Sequence, residues 1–151
     1  MSIEVPSDLD AIIEMFGSLD DPAFEDKNIV LFDLPYPLLY DGKEVRRTRC
    51  HRLMVEIFQE VFREIEAKDL VGEAKNFGGI YARRGIRGQD SHPSTHSWGV
   101  AIDLEPKRYP LGSLERMPDE LVEIFTDKGF FYGGFFKSRR DPQHFQWAVN
   151  Y

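Results

Sequence analysis

A single cysteine, Cys50, stands among 151 residues, so no intrachain disulfide can form and no CxxC metal site exists. Long apolar runs are missing too: no uncharged stretch approaches the ~20 residues that span a bilayer. The start, Met1-Ser2-Ile3-Glu4-Val5-Pro6, has neither the basic segment nor the apolar stretch of a secretory signal. Positive charge is in deficit, with 19 Lys and Arg against 26 Asp and Glu and a formal charge of −7. An acidic chain offers no electrostatic footprint to a nucleic-acid backbone and is repelled by anionic membranes. The expectation is a monomer made in the cytoplasm, with no nucleic-acid partner and no membrane insertion. Repeats, low-complexity tracts and flexible linkers are also absent. What remains is ordinary globular composition, 42% hydrophobic and 30% charged, in a length that fits one domain spanning residues 1–151.

The apolar pattern divides the chain into helices early and short strands late. A first helix is expected from Ser7 to Phe16, capped by Ser7, with Leu9, Ile12, Ile13 and Phe16 on one face and Gly17 as its stop. Asp20 to Lys27 reads as a turn, and Ile29 to Phe32 as a strand. Asp41-Gly42, between Leu38-Leu39-Tyr40 and Glu44-Val45, spells a two-residue hairpin turn. A long helix is expected from about Arg49 to Lys68, its core stripe formed by Met54, Ile57, Phe58, Val61, Phe62 and Ile65. Strands are expected at Phe77 to Tyr81, Gly99 to Leu104, Phe130 to Phe136 and His144 to Val149. Arg83 to His96 reads as a long loop, and Pro118 to Lys128 as a helix. With no βαβ rhythm, the class is α+β with a mainly antiparallel sheet.

Four histidines are present, His51, His92, His96 and His144, and two keep unusual company. In Ser94-Thr95-His96-Ser97-Trp98-Gly99-Val100-Ala101-Ile102-Asp103, a strand puts Gly99, Ala101 and Asp103 on one face and the apolar Val100, Ile102 and Leu104 on the other. Small neighbours leave room beside the carboxylate. In Asp141-Pro142-Gln143-His144-Phe145-Gln146-Trp147, His144 and Gln146 share a face. Two imidazoles and one carboxylate form a common catalytic zinc set with a fourth position open to water. Such an ion lowers the pKa of that water toward 7 and polarises a carbonyl. A further carboxylate is then needed to carry the proton, and Asp141, three residues before His144 on a connection stiffened by Pro142, is the leading candidate. Spacing alone leaves other readings open. A histidine is more often surface or core, and Ser94 or Ser91 could serve a metal-free hydrolase, although no GxSxG elbow is present. His51 is expected exposed or capping the long helix, and His92 at the surface or supporting the site.

The segment Ser94 to Asp103 matches S-x-H-x-x-G-x-A-x-D at every fixed position, and Asp141 to Trp147 resembles D-x-x-H-F-E-W. These are the two motifs of the M15 peptidases, the family of D-Ala-D-Ala carboxypeptidases and L-alanyl-D-glutamate endopeptidases. Tyr81 to Gly88 is similar to the arginine-bearing loop ahead of the first motif, and the likeness runs from about Arg46 to Ala148. The resemblance implies a hedgehog/DD-peptidase-like domain with its catalytic core at about 46–150 and an N-terminal extension over 1–45. It implies one Zn2+ held by His96, Asp103 and His144, and Asp141 as the catalytic acid and base. It implies an arginine that steadies the oxyanion or a substrate carboxylate, Arg84 as first choice and Arg87 as second, with Ser94 toward the substrate. Gln146 departs from the pattern, standing where many relatives carry glutamate. The substrate so implied is a peptidoglycan stem peptide, with the choice between endopeptidase and carboxypeptidase open. A phage-type lysis enzyme reconciles a missing export signal with a substrate outside the cell. The competing reading is a non-catalytic, zinc-containing binding module on the same scaffold, for which an unliganded Asp141 would have no use.

Overall fold

The computed structural model describes residues 3–86 and 89–151. The elements run α1 (Leu9–Phe16), α2 (Phe24–Asn28), β1 (Ile29–Tyr40), β2 (Lys43–His51), α3 (Val55–Ala67), β3 (Phe77–Gly79), β4 (Gly85–Ile86), β5 (Gln89–Pro93), β6 (Ala101–Leu104), α4 (Asp119–Thr126), β7 (Phe131–Tyr132) and β8 (His144–Gln146). The described sheets are all antiparallel: the β1-β2 hairpin, the short β4-β5 pair, and a four-stranded sheet in the order β3-β6-β8-β7. The molecule is thus α+β, with helices flanking antiparallel sheets.

The long hairpin follows from alternation. Phe32, Leu34, Tyr36 and Leu38 turn inward while Leu31 and Asp33 face water. Its register shifts between Asp33 and Leu38, where Pro35 and Pro37 have no N–H to give to the ladder. Asp41 and Gly42 take φ of 50° and 77°, the left-handed pair that a tight hairpin needs. Helix α3 lays Ile57, Phe58, Val61, Phe62 and Ile65 into the core against β1. Behind the central sheet, Phe125, Phe130, Tyr132 and Phe145 stack into one aromatic layer.

Several boundaries differ from expectation. The hairpin partner continues to His51, so α3 begins only at Val55 after a 3-10 turn over Arg52–Met54. Pairing of Ile29 with His51 holds residues 49–51 in the sheet against their helical pattern. Asp20 to Lys27 includes the start of α2, anchored by buried Phe24. Asp8, not Ser7, caps α1, accepting the Ala11 N–H at 2.8 Å. The expected loop from Arg83 to His96 contains β4 and β5, and the last two expected strands are shorter because 3-10 and turn backbone takes over at Gly133–Phe135 and after Gln146.

The first residues are tied to the last ones and to the site. Glu4 O accepts the Trp147 indole N–H at 2.8 Å, and Pro6 O accepts the Val149 N–H at 2.9 Å. Gly17 O accepts the Trp98 indole N–H at 2.9 Å. His51 is fully buried rather than exposed. Its Nε2–H donates to Phe16 O at 2.8 Å and its Nδ1 accepts the Leu53 N–H at 3.2 Å, so it caps the 3-10 turn that leads into α3 rather than α3 itself, whose N-cap is Met54.

Candidate metal centre

Each part of the first motif has a local job. Ser94 is the N-cap of a 3-10 turn over Thr95–Trp98, and its Oγ accepts the His96 N–H at 3.2 Å. Gly99 ends that turn at φ 72°, and a Cβ there would lie 2.6 Å from the His51 nitrogen, so no other residue fits. The chain then enters β6, whose Ala101 and Asp103 face away from the core. Gly78 of β3 passes so close that a Cβ on it would meet the Asp103 Cβ at 2.8 Å. In the second motif, β8 sets His144 directly opposite Asp103 and Gln146 directly opposite Ala101.

These elements bring His96, Asp103 and His144 together, all buried, with one ligand atom from each within 4.8 Å of the others. His144 Nδ1 lies 3.0 Å from Asp103 Oδ1, and His96 Nε2 lies 3.2 Å from Asp103 Oδ2. The tautomer of His96 is set by its other nitrogen: Nδ1 is 2.8 Å from Ile80 O, which can only accept. The proton therefore sits on Nδ1, and the Nε2 lone pair faces a carboxylate oxygen. That Nε2 is buried and without a hydrogen-bond partner. A buried imidazole nitrogen facing a carboxylate oxygen is completed by a cation between them or by a second proton on the ring. The donor set of two imidazoles and one carboxylate suits zinc with an open position.

The charges agree. Burial alone would raise the Asp103 pKa, but the two imidazoles beside it hold the carboxyl well below its usual range. Burial alone would lower that of His144, but the Asp103 carboxylate, with Asp141 behind it, pushes it up.

The group opens onto a cleft of about 490 Å³ whose lining includes Arg84, Ser94, Asp141 and Gln146. Asp141, expected as the proton carrier, reaches this cleft half-buried. Its backbone N–H donates to Gly133 O at 3.0 Å, and its carbonyl accepts the His144 N–H at 3.0 Å. Gly133 passes against both residues, and a side chain there would collide with the Asp141 carbonyl. The Tyr132 hydroxyl holds the neighbouring Pro142 carbonyl at 2.7 Å. Arg84 brings a guanidinium nitrogen to 3.7 Å from Asp103 Oδ2. Its backbone is clamped by Ser97, whose Oγ accepts the Arg84 N–H at 3.0 Å and donates to the Arg84 carbonyl at 2.8 Å. Arg87 lies outside the described residues, as does the side chain of Ser91. Ser94 lines the cleft, but its Oγ is engaged as the cap of the His96 turn. His92 is exposed beside Tyr151 and is not part of the metal group. Cys50 is buried and its thiol pKa is pushed up, which leaves it unreactive.

The supports of His96, Asp103 and His144 carry little signal in the sequence. Ile80 contributes only a carbonyl, which no side-chain pattern announces. Thr95 stands inside the first motif and donates to Gln146 Oε1 at 3.2 Å. Glu105, two residues past Asp103, accepts the Lys75 and Asn76 N–H groups at 2.9 and 2.6 Å and so anchors the entry to β3. Its signal was an acidic residue directly after a buried strand.

A buried two-histidine, one-aspartate group that could hold a metal ion thus lines the cleft together with a separate carboxylate, Asp141. Residues 87–147 match the M15 peptidase family model described as D-alanyl-D-alanine carboxypeptidase. That span takes in His96, Asp103, Asp141 and His144. No curated protein and no solved structure matches the chain. Among the described residues, no helix is long and apolar enough to cross a membrane.

Proposed function

We propose that the chain is a zinc-dependent peptidase that hydrolyses an amide bond in peptidoglycan stem peptides. The observation that carries this reading is the orphaned His96 Nε2, aimed at Asp103 Oδ2 at 3.2 Å beside His144, on a cleft that also holds Asp141. His96, Asp103 and His144 would hold a single Zn2+, which when bound acidifies a water in its open position and polarises the scissile carbonyl.

The residues of the chain divide the remaining work. Asp141 takes a proton from the attacking water and gives it to the leaving amine; its anchored backbone fixes where that carboxylate can reach. Arg84 shares the negative charge that develops on the carbonyl oxygen, or binds a carboxylate of the peptide in a bidentate fork, with Arg87 as the second candidate. Ser94 acts by shaping the His96 turn at the cleft wall. Lys137 and Arg139 add positive charge to the same cleft in a chain whose net charge is −7, which favours a carboxylate-bearing peptide. Residues 46–150 form the catalytic core, with 1–45 as its buttress, and the protein works as a monomer on cell-wall peptide after release as a lysis enzyme.

Mass spectrometry of purified muropeptides incubated with the zinc-loaded protein tests this directly. Cleavage is expected, and the new ends separate L-Ala-D-Glu endopeptidase from D-Ala-D-Ala carboxypeptidase chemistry. Zinc uptake with every muropeptide left intact would favour the binding module instead.

A further inference from the structure

Gln146 has a geometry that the peptidase reading leaves unused. It is buried on β8, on the same face as His144. Its Oε1 lies 2.8 Å from His144 Nε2 and 3.2 Å from Thr95 Oγ, and its Nε2 donates to the carbonyls of Ala148 and Tyr151 at 3.3 Å each. The two ends of this amide are not interchangeable. The carbonyls of Ala148 and Tyr151 can only accept, so the NH2 must face them and the oxygen must face the imidazole. His144 Nε2 must then carry its proton toward Gln146, which leaves Nδ1 as the nitrogen turned to Asp103 and the ion. The far end of the amide holds residue 151, whose ring lies 6.2 Å from that of Trp98 and whose hydroxyl donates to Pro93 O at 2.6 Å. Tyr151 thereby forms a wall of the cleft.

We propose that Gln146 is a two-ended positioning residue. Its oxygen fixes His144 with Nδ1 presented to the metal, and its NH2 holds the segment 148–151 so that Tyr151 closes one side of the substrate cleft. A glutamate of the same shape could do the first but not the second, because it would set a carboxylate against two carbonyl oxygens with no hydrogen to share. The part of this inference that concerns the ion rests on the zinc reading; the part that concerns the ring and the tail does not.

The test compares the parent chain with Gln146→Glu and Gln146→Met. In long-range proton–nitrogen spectra, the parent is expected to show a His144 Nε2–H protected from solvent exchange. Gln146→Glu should keep that signal and bind zinc at least as tightly in a chelator competition. It should also speed amide exchange across residues 148–151 by about fivefold or more, the loss of about one net hydrogen bond, and raise KM with kcat held. Gln146→Met should lose the protected proton and weaken zinc binding by about 10- to 100-fold, as removal of an outer partner does. Unchanged zinc affinity and unchanged Nε2–H protection in Gln146→Met would overturn the role of the oxygen. Unchanged tail exchange in Gln146→Glu would overturn the role of the NH2. If the parent chain takes up no zinc, the peptidase reading fails, and the exchange measurements still decide the role of Gln146. Should Gln146→Met not fold, the parent spectrum and Gln146→Glu decide it alone.

Discussion

His144 Nδ1 stands 3.0 Å from Asp103 Oδ1 because the two residues are register partners on adjacent antiparallel strands. Directly opposed residues on one sheet face are held by the ladder itself. The pair is therefore set by the backbone itself, and only His96, on its capped turn, comes from elsewhere.

Replacing Asp103 with asparagine keeps the shape of the pair but removes the one anionic ligand. Asp103→Asn is expected to fold and to retain far less than the roughly one zinc per molecule expected of the parent after reconstitution. Metal analysis of the two proteins after dialysis checks this. Retention of a full equivalent by the variant would refute the ligand set.

Asp141 is expected to act on protons, not on the ion. Asp141→Asn should hold zinc like the parent while its cleavage of muropeptides falls by about 10²- to 10⁴-fold, the usual contribution of a positioned acid–base group. Parent-like turnover would remove Asp141 from the mechanism.

The two neighbouring arginines should separate cleanly. Arg83 is turned away, its guanidinium donating to Leu19 O at 3.2 Å, whereas Arg84 reaches toward Asp103. Arg84→Ala should lower kcat/KM by about 10²-fold, the scale of a lost oxyanion donor, while Arg83→Ala leaves it nearly unchanged. The reverse ranking would move the functional arginine.

Buried His51 gives a stability signature away from the cleft. Burial pulls its pKa down to about 4 from an ordinary 6.5, against the raising effect of its bond to Phe16 O. The unfolded chain thus binds this proton more readily than the folded one. Its contribution is complete above about pH 6.5, is lost as pH falls from 6.5 toward 4, and is level below that. The loss is on the order of 3 kcal/mol. Urea unfolding at pH 7 and pH 4.5 measures it, and a His51→Gln variant should flatten that part of the profile. An equal slope in both proteins would show that His51 is not its source.

Much of the site was legible in the sequence because the chemistry imposes local spacing. Although the cap role of Ser94 and the left-handed turn at Gly99, expected inside a strand that in fact begins at Ala101, show only in the fold, His96, the small residue Ala101 and Asp103 lie within ten positions. The hairpin at Asp41-Gly42 was legible for the same reason, its turn being encoded in two residues. What stayed hidden depends on contacts between distant segments. Helix α3 starts at Val55, later than its apolar pattern suggests, because the pairing of Ile29 with His51 outweighs the helical pattern of residues 49–51. The burial of His51, expected exposed or capping, depends on an acceptor, Phe16 O, that is 35 positions away. The hold of Gln146 on both His144 and residue 151 likewise depends on which way one amide faces, and no residue pattern encodes that.

The tethers from the first segment set a limit on dissecting the molecule. A fragment starting near Arg46 would keep every ligand but strip the acceptors from two buried indoles and one buried imidazole, and would bare the apolar bed now filled by Ile12, Phe16 and Phe24. The stretch that bears the family likeness is therefore shorter than the stretch that must fold. Trimming the chain to its motifs is expected to yield an insoluble fragment rather than a minimal enzyme.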